Sequence, residues 1–158
     1  MGIQASFDLP TEDATEQVAR RLAAALVSPL ILAFRGDLGA GKTTLVRAML
    51  RALRVTGAIK SPTFSLVESY PLLDQRALVH HFDLYRIEDE AELEYIGFRD
   101  YFSTQAICCI EWPERAISML PLIDVDFSLI FNGEGRFLQV SALSPAGATL
   151  LSCLVEAS

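Results

Sequence analysis

Residues 36–43 read Gly-Asp-Leu-Gly-Ala-Gly-Lys-Thr and satisfy the spacing G-x-x-x-x-G-K-[ST]. Glycines take up backbone conformations closed to residues with a Cβ, so successive N–H groups turn inward around an anion. Those N–H groups and the N-terminus of a following helix place partial positive charge on phosphate. Lys42 adds a full charge near the β and γ oxygens, and the Thr43 hydroxyl is a ligand suited to Mg²⁺. This chemistry predicts contacts to a nucleoside triphosphate from Asp37, Leu38, Gly39, Ala40, Gly41, Lys42, Thr43 and Thr44. The charge of Asp37 would repel phosphate unless it points outward or handles water.

A loop of this kind works with a carboxylate that holds the metal or its water shell, usually at the carboxyl end of a neighbouring strand. Asp83 follows the apolar segment 78–82, and Glu111 follows Ala106–Ile110. Glu111 ranks first because its strand has the cleaner parallel-core pattern, but either acid is able to bind metal while the other orients water. Thr63 and Ser65 are weaker candidates for sensing the γ-phosphate. His80 and His81 read as ordinary strand residues. Trp112, the only tryptophan, reads as core, although it stands beside Glu111.

The surrounding pattern supplies the elements that must position these residues. Residues 30–34 form a short unbroken apolar run, the mark of a strand buried on both faces, directly before the loop. Residues 43–53 are apolar almost all round, as in a helix buried against a sheet. Ile3–Phe7 predicts an opening strand, and Thr11 or Asp13 caps a helix that runs towards Pro29. Residues 63–70 and 78–84 predict a hairpin with a longer loop, and Glu88–Glu94 an acidic helix followed by a short aromatic segment, 98–102. Residues 123–131 and 137–143 flank Asn-Gly-Glu-Gly, a hairpin signal, and 145–155 closes the chain as an amphipathic helix. The expected fold is α/β and like that of P-loop NTPases: a central parallel sheet with antiparallel strands added and helices on both faces.

The chain has 158 residues, the usual size of one domain, so residues 1–158 are expected to form a single nucleotide-binding domain. Its net charge of -7 and lack of any Lys/Arg run argue against direct binding of nucleic acid. The three cysteines include an adjacent apolar pair and no CxxC, which points to a reducing, cytoplasmic setting without a zinc site. No apolar run approaches the ~20 residues that span a bilayer.

Five segments occur in an order that resembles a known family: Gly36-Asp-Leu-Gly-Ala-Gly-Lys-Thr-Thr44, Lys60-Ser-Pro-Thr-Phe-Ser-Leu-Val-Glu68, His81-Phe-Asp-Leu-Tyr-Arg86, Glu92-Leu-Glu-Tyr-Ile-Gly-Phe-Arg-Asp-Tyr-Phe102 and Ile110-Glu-Trp-Pro113. They are similar to the TsaE (YjeE-like) ATPases of bacterial tRNA threonylcarbamoyladenosine biosynthesis. The resemblance implies an ATPase, weak alone, that binds ATP or ADP with Mg²⁺. It also implies work with two partners, the threonylcarbamoyl transferase and its non-catalytic partner protein, so that tRNA is met only indirectly. By matching motif, Lys42 and Thr43 bind phosphate and magnesium, Glu111 binds magnesium, Asp83 and Thr63 support hydrolysis, and Trp112 lies near the nucleotide. Pro10-Thr11-Glu12 matches the family's Pro-x-Glu segment, which brings Glu12 to the adenine side. A small-molecule kinase and a binding module without turnover are the alternatives. A kinase lid rich in arginine is not seen, since Glu88–Glu94 is acidic, and the guanine reader Asn-Lys-x-Asp is absent.

Overall fold

Residues 3–55, 57–72 and 77–156 are described by the computed structural model. The elements in chain order are β1 (Gln4–Leu9), α1 (Glu12–Ala25), β2 (Leu30–Arg35), α2 (Lys42–Ala52), β3 (Val67–Pro71), β4 (Leu78–Asp83), α3 (Ala91–Tyr95), β5 (Ala106–Glu111), β6 (Val125–Asn132), β7 (Gly135–Ala142) and α4 (Pro145–Glu156). Short 3-10 turns occupy Phe98–Tyr101 and Pro113–Ala116.

The apolar runs β2 and β5 pair in parallel at the centre, with β6 and β4 parallel on their outer sides. Antiparallel β7 and β3 extend this core, and β1 pairs antiparallel with β7, giving the order β1-β7-β6-β2-β5-β4-β3. Side chains alternate between faces along a strand. On β5, Ile107 and Cys109 join the core formed with α1, α2 and α4, whereas Ala106, Cys108 and Ile110 join a second core with Leu93, Phe98 and Ala116. Helices therefore cover both faces, unequally. Three long helices lie on one face, and the single-turn α3 with the two 3-10 turns lies on the other.

Local signals account for most boundaries. Thr11, not Asp13, caps α1: its hydroxyl accepts the Ala14 N–H at 3.2 Å. The β6–β7 hairpin closes on Gly133, whose φ of 60° suits a two-residue connection.

Three expectations need correction. Residues 63–65 form a turn and not the start of a strand: the Leu66 N–H bonds the Pro62 carbonyl, and β3 begins only at Val67. The acidic helix is shorter than expected. Glu92 accepts the N–H groups of Glu88 and Asp89, closing a turn before α3 begins at Ala91. The helix after the glycine loop starts at Lys42, one residue earlier than expected. Of the loop expected between β3 and β4, residues 73–76 lie outside the described residues.

Candidate functional site

The loop between β2 and α2 has three glycines with positive φ: 147° at Gly36, 82° at Gly39 and 107° at Gly41. At Gly36 a Cβ would stand 2.6 Å from the Leu129 carbonyl oxygen, so no side chain fits there. At Gly41 there is room, but the backbone angle is one that L side chains rarely adopt. A turn closed by the Ala40 N–H on the Asp37 carbonyl, 3.0 Å, brings the chain round into α2. Lys42 begins that helix and is buried. Its ammonium donates to the carbonyls of Gly36 (2.6 Å) and Asp37 (3.0 Å) and lies 4.3 Å from the Trp112 ring centroid. Burial pushes its pKa down, while Glu111 and Asp83 pull it back up.

The acids arrive from the sheet. Glu111 follows Cys109 by two residues, and Asp83 follows His81 and Val79 at the same spacing, so all project on the face that carries α2. Asp83 and Glu111 are register partners across β4 and β5. The Thr43 hydroxyl lies 2.8 and 2.9 Å from the two Glu111 carboxylate oxygens. His81 Nε2 and Glu111 Oε2 are hydrogen-bonded at 2.5 Å, and His81 Nδ1 has no partner among the described residues. Asp83 accepts the Tyr85 N–H at 3.1 Å and the Thr63 hydroxyl at 3.4 Å. Burial raises the Asp83 pKa, with the Glu111 charge adding to the rise; the Tyr85 N–H, His81 and Thr63 oppose it.

One cavity is lined by Leu38, Gly39, Gly41, Lys42, Thr43, Thr44, Thr63, Asp83, Tyr85, Arg86, Glu111 and Trp112. A second shares Gly39, Gly41 and Thr44 with it and continues to Pro10, Thr11, Glu12, Ala40, Glu134 and Arg136. The sequence-predicted residues are thus distributed over two adjoining hollows. Lys42, Thr43, Thr63, Asp83, Glu111 and Trp112 line the first, and Glu12 and Ala40 the second. Asp37 faces solvent, and its backbone carbonyl accepts from both Lys42 and the Ala40 N–H.

Two readings change. Trp112 is half-buried at the cavity wall, packed on Tyr85 at 4.9 Å, with a positive φ of 59°. A non-glycine residue held in this region is strained, and such strain collects at functional sites. His81 is more than an ordinary strand residue, since it holds the carboxylate of Glu111. Its period-two spacing from Asp83 is the signal that marks it. Arg86, which lies 4.9 Å over the exposed Phe64 ring, and Arg136 also reach these cavities. No local pattern singles out Arg136. Arg86 stands at the end of the His81–Arg86 segment.

Hydroxyl and carboxylate oxygens beside a glycine-rich helix N-terminus form a donor set for a hard cation and an anionic phosphate chain. No group of three or more His, Cys, Asp and Glu residues suited to a metal occurs among the described residues. Mg²⁺ fits that sparse set, because it keeps several waters and takes one or two carboxylates.

The sequence profile of the family described as "Threonylcarbamoyl adenosine biosynthesis protein TsaE" matches residues 9–136, well over half of the chain. The chain belongs to the TsaE family. It is 42% identical over 123 residues to the "tRNA threonylcarbamoyladenosine biosynthesis protein TsaE" of Haemophilus influenzae, covering 78% of this chain and 77% of that protein. It is 41% identical to the TsaE protein of Synechocystis over 113 residues, 69% of this chain and 70% of that one. A crystal structure of Bacillus subtilis YdiB superposes with a TM-score of 0.81 at 25% identity, covering 99% of this chain and 97% of that chain. The TsaE profile spans the glycine loop, both acids and Trp112, and it ends at Arg136.

Proposed function

We propose that this chain is a Mg²⁺-dependent ATPase, built as a single nucleotide-binding domain, that serves threonylcarbamoyl modification of adenosine in tRNA. The observation that carries the reading is the convergence of Lys42, Thr43, Asp83 and Glu111 on one cavity beside the glycine loop, in a chain of the TsaE family. The triphosphate would lie along the loop, with Lys42 and the loop N–H groups holding its anionic end. Thr43 and Glu111 would hold the magnesium, with Asp83 as the second acid. When bound, magnesium neutralises charge that develops on the phosphate oxygens. Trp112 would lie near the nucleotide, and Glu12 towards the adenine.

In this reading the protein works in the cytoplasm with the transferase and its non-catalytic partner, and it meets tRNA only through them. The names of the relatives support the pathway, and the net charge of -7 disfavours independent binding of a polyanion. No helix among the described residues is long and apolar enough to cross a membrane.

The test is phosphate release measured with and without the two partners, together with calorimetry of ADP and GDP. Slow release that the partners accelerate, and tighter binding of ADP, are expected. A guanine preference of about tenfold, ~1.4 kcal/mol, would sink the ATPase assignment.

A further inference from the structure

Arg136, on β7, lies 96 residues from the glycine loop and touches it. Its Nε donates to the Ala40 carbonyl at 3.0 Å and its Nη2 to the Gly39 carbonyl at 3.2 Å. Its Nη1 is spent on its own hairpin, donating to the carbonyls of Glu134 (3.2 Å) and Gly135 (2.9 Å). The guanidinium carbon stands 4.4 Å from the Phe131 ring centroid, on the other strand of the hairpin. Four N–H contacts and an aromatic face hold the cation in place, and the fork meets two consecutive loop carbonyls.

Those carbonyls matter because of what lies across each peptide. A trans peptide is planar, and its C=O and N–H point in opposite directions. The Ala40 N–H, opposite the Gly39 carbonyl, is already used in the turn to Asp37. The Gly41 N–H, opposite the Ala40 carbonyl, is not among these turn bonds. Pinning the Ala40 carbonyl towards Arg136 therefore turns the Gly41 N–H away from the hairpin. Glycine at 41 gives the peptide freedom to rotate, so a fixed orientation has to come from outside the loop.

We propose that Arg136 is a positioning residue of the phosphate loop. Its guanidinium fixes the Ala40–Gly41 peptide from the hairpin side, so that the Gly41 N–H is presented to a phosphate oxygen. The proposal rests on the reading of this loop as a nucleotide site, but it concerns only the anion and not the base. Lysine is a poor substitute, because it lacks the fork that grips two carbonyls.

The experiment measures ADP and inorganic pyrophosphate binding by calorimetry for the parent, Arg136→Ala, Arg136→Lys and Phe131→Leu, with the unfolding midpoint of each taken without ligand. The Gly41 amide resonance is followed during pyrophosphate addition. Arg136→Ala is expected to weaken ADP and pyrophosphate by the same factor, about tenfold, and to abolish the Gly41 amide shift. Arg136→Lys should recover little of either. Phe131→Leu removes the stacking ring and no hydrogen bond, so it should fold and weaken both ligands by a smaller factor. If Arg136→Ala does not fold, this variant decides the matter: unchanged pyrophosphate binding and an unchanged Gly41 shift overturn the proposal.

Unchanged pyrophosphate affinity in Arg136→Ala overturns it as well. So does an affinity loss that merely follows the unfolding midpoint across the variants, because that marks a structural tie. A parent that binds pyrophosphate but not ADP defeats the nucleotide reading alone. A parent that binds neither defeats both.

Discussion

His81 Nε2 and Glu111 Oε2 are 2.5 Å apart, with side chains only 1% and 3% exposed. The same carboxylate receives the Thr43 hydroxyl. One buried carboxyl group thus joins β4, β5 and the start of α2. A carboxylate in such surroundings depends on its donors, since an unsatisfied buried charge is expensive.

His81→Ala should therefore lower stability by about 1–3 kcal/mol and reduce phosphate release. His81→Gln keeps an N–H near the position of Nε2 and should restore part of both. Denaturant unfolding and single-turnover hydrolysis measure the two effects. An alanine variant as stable as the parent would show that Glu111 needs no such donor.

Lys42→Ala and Glu111→Ala should separate binding from turnover. Losing the lysine removes charge-assisted contacts, and triphosphate affinity should drop by about tenfold to a hundredfold. Glu111→Ala should abolish turnover while leaving metal-free ADP binding nearly intact. Asp83 faces Glu111 in register, so parent-like hydrolysis by Glu111→Ala would move the essential role to Asp83.

The segment Lys60–Ser65 is expected to report on the nucleotide. Thr63 lies 3.4 Å from Asp83 and 2.7 Å from the Ser61 hydroxyl, and the neighbouring residue Phe64 is 87% exposed. At its far end Leu66 is held at a φ of 70°, a strained angle for leucine. If the γ-phosphate orders this turn for partner docking, ATP and partner should strengthen each other by ~1–3 kcal/mol. Thr63→Ala should reduce that coupling and leave ADP affinity almost unchanged. The check is transferase affinity with ADP and with a non-hydrolysable ATP analogue. Equal affinities in the parent would rule the coupling out.

The cysteines predict a graded thiol reactivity. Burial pushes Cys108 up to about 12 and raises Cys109 well above the ordinary thiol value, whereas Cys153 is exposed. At pH 8 the native protein should release one equivalent of chromophore from a disulfide reagent, and three after denaturation. The sign for stability follows from the same shift. Above the ordinary thiol pKa, ~8.5, the unfolded chain loses these protons while the folded chain keeps them. Stability should therefore fall as pH rises beyond that value. Rapid reaction of a second native thiol would contradict the burial.

The sequence by itself determined what short runs of residues determine. The glycine loop is contiguous, so its turn and the helix that follows are signalled within a few residues of one another. The unbroken apolar runs of β2 and β5 require burial on both faces, which points to a parallel core with an acid at the end of β5. Gly133, within Asn-Gly-Glu-Gly, marks the β6–β7 turn by itself, whereas Thr11 and Asp13 are equal candidates for the α1 cap until the structure selects Thr11.

Tertiary structure decided everything that depends on register. Period-two alternation puts His81 on the same face as Asp83, but only the pairing of β4 with β5 brings its imidazole to Glu111. Trp112 took its left-handed backbone and its place over Lys42 from the packing around it, because a single tryptophan carries no local signal for either. Arg136 met the glycine loop because β7 pairs with β6, and β6 with β2, across three strands of the sheet. A contact spanning 96 residues leaves no periodicity to read, since hydrogen-bond geometry between distant segments exists only once the strands are in order.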